Sequence, residues 1–221
     1  MTTPPTSSGP PRSLTIFGAS GRTGRQLVDQ ALAAGDQVTA VVREASRLPL
    51  RQDRLRVVPA DVMDPAAIVP AVTGADAVIS VLGPHSRHDT INAAAVRSAL
   101  KAMEITGVRR IVALSAAPLA DPDPADTLPY RLVLRPLVRA FLKDHYADLA
   151  AMEDALRHSD TDWTVVRPPK LTDKPGRGEY RTARNHTLRR ANSIARADLA
   201  DCMLRLVADD ASHRAAVAVA Y

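Results

Sequence analysis

The stretch Leu14–Val28, LTIFGASGRTGRQLV, decides how the rest of the chain is read. An apolar run, Leu14–Phe17, leads into Gly18, Gly21 and Gly24 at three-residue spacing, and a segment with helical apolar spacing follows. The pattern predicts a strand, a tight turn and a helix. In such a unit one glycine permits the turn, one lets the backbone approach a pyrophosphate, and one lets helix and strand pack closely. The helix N-terminus then offers unpaired N–H groups and a partial positive charge. The spacing is G-x-x-G-x-x-G, with Ser20 where G-x-G-x-x-G would carry its second glycine. We expect Gly18, Ser20, Gly21, Arg22, Thr23 and Gly24 to hold a dinucleotide; the alternative is a turn that is merely tight.

Working outward, β-rich runs alternate with helical patterns. Strands are expected at Leu14–Phe17, Gln37–Val42, Leu55–Val58, Ala75–Leu82, Arg110–Leu114, Trp163–Val166 and Ala216–Ala220. Helices are expected at Arg22–Ala34, Ala66–Val72, Thr90–Thr106, from Leu137 to near His158, and at Asp198–Ala208. Alternation of this kind predicts an α/β fold, a doubly wound parallel (Rossmann) sheet in a single domain. Residues 1–12, made almost wholly of Thr, Pro, Ser and Gly, read as a disordered tail, and 13–221 as the domain with a small C-terminal substrate-binding part.

The second strand ends AVVREASRL, with Arg43 nineteen residues after Gly24. An NAD-selective protein carries an acid there for the ribose diol. Arg43 instead offers a planar fork suited to a 2′-phosphate, and Arg47 adds a second positive charge. The cofactor expected is therefore NADP(H). A solvated strand-end charge is the other reading of Arg43. After the third strand, Asp61 and Val62 fall where an adenine would lie, with helix capping as the alternative for Asp61. After the fourth, Leu82 and Gly83 fall near the pyrophosphate and ribose, because ligands gather at the carboxyl ends of strands.

Composition narrows the class. One cysteine, Cys202, excludes an internal disulfide framework and fits a reducing compartment. No apolar run reaches membrane-span length and no secretory pattern opens the chain, so a cytoplasmic protein without membrane contact is expected. The net charge is +5, and Arg167–Arg196 holds nine Lys or Arg against two acids. That segment lacks a recognition-helix or stacking pattern, so nucleic-acid binding is not expected; a solvated surface is the plain reading, and attraction of a phosphorylated cofactor or anionic substrate lies between. The histidines show no metal-ligand spacing, and no metal is expected.

TIFGASGRTG, VVREASRL, ADVMD, SVLG, ALSAA, DHYADLAAMEDALRHSDTDWTVVRPP and LTDKPGRGEY together resemble the atypical short-chain dehydrogenase/reductase group of NAD(P)H-binding proteins, within it the biliverdin-IXβ reductase/flavin reductase branch. The resemblance runs from about Leu14 to Tyr221 and implies a reductase. The Tyr-x-x-x-Lys of ordinary alcohol–ketone enzymes is absent, as YRLVL from Tyr130 and YADLA from Tyr146 show. Flavin, quinone or a similar conjugated acceptor fits better, since positioning of donor and acceptor then carries the reaction. A non-catalytic NADP(H)-sensing regulator is the alternative. By position, the resemblance implies Ser115 beside the nicotinamide, with a strand-end turn serine as the alternative, His145 in the substrate site, with a solvated helix histidine as the alternative, and Pro168–Pro169 bending the chain next to the cofactor. Tyr146 is a further donor candidate. Lys170 stands where the flavin reductase has a histidine, and either binds an anionic substrate or faces water.

Overall fold

The computed structural model describes residues 10–83, 90–117 and 143–221. The parts of the expectations that fall on 1–9, 84–89 and 118–142, including Tyr130 and the start of the helix after Leu137, lie outside the described residues. At the inner edge of the expected tail, Arg12 is fastened down: its guanidinium binds Asp36 and donates to the Leu204 carbonyl at 2.8 Å.

The described elements run β1 (Ser13–Phe17), α1 (Arg22–Ala33), β2 (Gln37–Val42), β3 (Leu55–Pro59), α2 (Pro65–Val72), β4 (Ala77–Ser80), α3 (Asn92–Thr106), β5 (Arg110–Leu114), α4 (Lys143–Arg157), β6 (Asp162–Arg167), β7 (Lys170–Thr172), β8 (Arg181–Arg184), β9 (Ser193–Ala195), α5 (Arg196–Val207) and β10 (Ala215–Ala220). The main sheet has the order β3-β2-β1-β4-β5-β6-β10-β8. Its first six strands reproduce the doubly wound order that reverses beside β1. Every neighbouring pair is parallel except β10 with the edge strand β8, which is antiparallel.

Two apolar layers sandwich the sheet, as parallel strands buried on both faces require. On one side Leu27, Val28 and Ala31 of α1 pack with Leu199, Met203 and Leu206 of α5. On the other, Ile68 of α2, Val96 and Met103 of α3, and Met152 and Leu156 of α4 close over Phe17, Val78 and Ile111. Each fully buried Leu, Ile or Phe contributes about 1.5–3 kcal/mol. With few aromatics, the core depends on Val, Leu, Ile and Ala.

Helix ends follow their chemistry. Gly107 ends α3 in the left-handed conformation at φ +76°, as a glycine after a helix should. The Arg110 guanidinium, sunk at the start of β5, donates to the terminal carbonyls of α5 at Leu206 and Val207 and to Ser212. Burial lowers its pKa to about 10.

Three strands lie where the sequence reading placed none. The basic stretch between β6 and α5 shows no apolar periodicity, yet it contains β7, β8 and β9. The three-residue strands β7 and β9 pair with each other in parallel, forming a small second sheet, and β8 closes the main one. Charges along RTAR suit an edge strand, where one side of the backbone faces water.

Candidate functional site

At the carboxyl end of β1 the turn is built by what its residues lack. Gly18 has φ +81°, and a Cβ there would lie 2.8 Å from the Val81 carbonyl oxygen at the end of β4. A Cβ on Gly24 would lie 2.1 Å from the Gly18 carbonyl oxygen, so that glycine is fixed by helix-to-turn packing. Gly21 donates its N–H to the Gly18 carbonyl at 2.9 Å and caps α1 in extended geometry. Among the described residues no side chain caps that helix, and no acid occupies its first turn. The N–H groups and dipole of α1 are thus presented to an anion without a carboxylate from the helix's own first turn. Thr23 is buried beneath the turn, while Ser20 is half-buried and Gly21 and Arg22 are exposed.

Arg22 is held by Asp173, just after β7, at 2.7 Å. Asp173 also approaches the Arg196 guanidinium at 3.0 Å. Burial, and then the charge of Arg22, push the pKa of Arg196 down. The glycine turn is therefore tied by charge to the segment following the small sheet, a link no local pattern announces.

At the end of β2, Arg43 is exposed. Glu44 approaches Arg47 to 3.9 Å and offsets part of its charge, while the Arg47 carbonyl accepts from Arg25 at 3.1 Å. Asp61 accepts from the Met63 N–H at 2.9 Å in a local turn, and the capping carboxylate of α2 is Asp64 instead. Val62 and Leu82 are half-buried and Gly83 is exposed.

The third group surrounds the ends of β5 and β6. The Ser115 N–H donates to the Val166 carbonyl at 2.8 Å, and the Ala117 N–H to the Pro168 carbonyl at 2.9 Å. Pro168 is buried, Pro169 half-buried and Lys170 exposed. Ser115 is itself buried, and its hydroxyl donates to Glu153 Oε1 at 2.6 Å. Glu153, 2% exposed on α4, also receives Arg167 and Arg157. Sequence reasoning missed this carboxylate. The available signal was that Asp148, Leu149, Met152, Glu153 and Leu156 share the buried face of one helix. Asp148, the other acid on that face, accepts from the backbone N–H groups of Asn92 and Ala93 and so caps α3 from outside.

His145, in the first turn of α4, is half-buried with its ring 5.9 Å from that of Tyr146. Its Nδ1 is buried without a hydrogen-bond partner among the described residues. Desolvation lowers its pKa, with Asp148 pulling the other way. The charged imidazolium is therefore less favoured than on an exposed histidine. Tyr146 packs at the margin of the core.

Most of these residues belong to the carboxyl ends of β1–β6 or to the segments directly following them, where doubly wound sheets bind ligands. The family model described as NAD(P)H-binding matches residues 18–210, from the first glycine of the turn to beyond α5. The chain belongs to the NAD(P)H-binding family.

The chain is 30% identical over 155 residues to the (4-alkanoyl-5-oxo-2,5-dihydrofuran-3-yl)methyl phosphate reductase of Streptomyces griseus, covering 70% of this chain and 46% of that one. Mycobacterial relatives are 36% identical over 104 residues, which take in 47% of this chain and 12% of theirs. Among solved structures, a short-chain dehydrogenase/reductase of Veillonella parvula in complex with NADP superposes with a TM-score of 0.77 at 20% identity, over 95% of this chain and 94% of that one. ChuY, an anaerobilin reductase from Escherichia coli O157:H7, gives 0.74 at 21% identity, over 94% and 96%. These likenesses establish the fold. Among the described residues no helix is long and apolar enough to cross a membrane.

Proposed function

We propose that the protein is an NADPH-dependent oxidoreductase acting on a flavin, a quinone or a similar conjugated carbonyl acceptor. The observation that carries the reading is the glycine turn with its uncapped, acid-free α1 N-terminus, followed at the end of β2 by Arg43 where an NAD site needs a carboxylate. A bound NADPH would supply a hydride.

Ser20, Thr23 and Gly24 would bring backbone N–H groups to the pyrophosphate around a turn that Gly18 and Gly21 shape, the Gly21 N–H being spent on the Gly18 carbonyl, with Arg22 adding charge if it exchanges Asp173 for phosphate. Arg43 and Arg47 would take the 2′-phosphate, Asp61 and Val62 the adenine edge and face, and Leu82 and Gly83 the central ribose and phosphates. Ser115, Pro168 and Pro169 would hold the nicotinamide. His145 and Tyr146 would line the acceptor side, and the lowered pKa of His145 makes it a guide for the acceptor more than a store of protons. Lys170 would attract an anionic acceptor. The Streptomyces relative supports that class, since its name describes an oxo-dihydrofuran bearing a phosphate. The single buried cysteine is consistent with a cytoplasmic setting.

A second reading, an NADP(H)-sensing regulator without turnover, is favoured by one observation: neither Tyr130 nor Tyr146 is followed four residues on by lysine. Steady-state NADPH consumption with FMN, riboflavin and a small quinone separates the two. Oxidation with at least one acceptor is expected. Tight NADP binding with no oxidation by any of them would replace the enzyme with the sensor.

A further inference from the structure

We propose that Glu153 is a positioning residue that fixes Ser115 as a hydrogen-bond acceptor toward the site. Ser115 then selects a group presenting an N–H, such as a nicotinamide carboxamide, over one presenting only a carbonyl oxygen. The proposal rests on the cofactor reading above for what stands next to Ser115; the polarity of Ser115 itself rests on geometry.

A carboxylate has about four lone-pair positions and, when ionised, no donor. On Glu153 four donors fill them. Oε1 accepts from Ser115 Oγ at 2.6 Å and from Arg167 Nε at 3.0 Å. Oε2 accepts from Nη2 of Arg167 and Nη2 of Arg157. Arginine cannot accept, so both guanidiniums must donate, and no lone pair is left for a proton on the carboxyl group. The only proton of Ser115 therefore points at Glu153, and the hydroxyl oxygen offers lone pairs to anything on its other side. The backbone cannot swing the hydroxyl away, because the Ser115 and Ala117 N–H groups are bound to the Val166 and Pro168 carbonyls. For Ser115 to donate to a substrate carbonyl it would have to abandon a buried charged acceptor, the more costly arrangement. It follows that Ser115 orients and does not protonate.

Glu153→Gln reverses this polarity. The glutamine oxygen takes the Oε2 position, where two guanidinium groups converge; its amide NH2 then sits between Arg167 Nε, which loses its acceptor, and Ser115 Oγ, which accepts from it and releases the serine proton outward. The test is equilibrium binding of NADP and of its 3-acetylpyridine analogue, which keeps the carbonyl and loses the NH2, measured by titration calorimetry without any acceptor. Wild type is expected to bind the analogue about tenfold more weakly, the worth of one hydrogen bond with its unpaired partner. In Glu153→Gln the ratio is expected to fall to about one or invert, and in Ser115→Ala to about one. The ratio is independent of the folded fraction, since both ligands sample the same population. If Glu153→Gln does not fold, Ser115→Ala decides by the same criterion. A wild-type protein without the preference, or variants that keep it, would overturn the proposal alone. Failure of NADP to bind the wild type would instead overturn the cofactor reading, and this proposal with it.

Discussion

The glycine turn after β1 and the cluster joining β5, β6 and α4 sit at the same end of the sheet but are shaped by opposite means. In the turn, backbones approach each other because side chains are missing: Gly18 abuts the Val81 carbonyl and Gly24 the Gly18 carbonyl. In the cluster, buried Ser115 and Glu153 and half-buried Arg167 are held by charge, with exposed Arg157 closing the set from outside. At Gly18 and Gly24 the first region tolerates no added atom. The other tolerates no removed charge. Shape is thus fixed sterically where a phosphate would bind and electrostatically where a reaction would be oriented.

The contrast breaks first at Gly24. Adding a methyl 2.1 Å from a backbone oxygen cannot be relieved by a rotamer change, so Gly24→Ala is expected to cost about 4 kcal/mol. Gly21→Ala, where the nearest atom is 3.2 Å away and φ is −74°, should cost about 1 kcal/mol or less. Melting temperatures of the two variants check this, and similar drops would remove the steric account of the turn. On the electrostatic side, Arg167→Met leaves Glu153 buried with Arg157 as its remaining cation and should cost about 3 kcal/mol. An additional Glu153→Met on that background should recover part of the loss, because the uncompensated charge is gone; denaturant midpoints of the two variants report it.

The smallest effect is at His145. Burial lowers its pKa, so the folded chain resists a proton that the unfolded chain accepts near pH 6.5. Its contribution is complete above that pH and is lost as pH falls below it, until the folded form also protonates. His145→Gln should flatten the stability profile between pH 7 and 5, read from melting temperatures. An unchanged slope would mean that the ring is freely solvated.

The two regions also differ in how far they could be read from residues alone. Glycine requirements are local, so Gly18, Gly21 and Gly24 with their flanking strand and helix announced the turn, and alternation announced a doubly wound parallel sheet. The site's second half was only partly legible. Ser115 could be named, but its partner lies 38 residues away and resembles any surface glutamate until the apolar face of α4 is drawn through Asp148 and Glu153. β7 and β9 are three-residue strands that exist because each supplies the other's hydrogen bonds, a long-range fact with no periodic signature. The Arg22–Asp173 pair is missed for the same reason: it joins segments that only the completed fold brings together.

The central claim, that the turn and the end of β2 form an NADP site, is met most directly by titrating wild type and Arg43→Glu with NADPH and NADH. The account predicts roughly ten- to a hundredfold tighter NADPH binding by wild type and loss of that preference in the variant. Equal affinities in wild type, or an unchanged preference in Arg43→Glu, would contradict it.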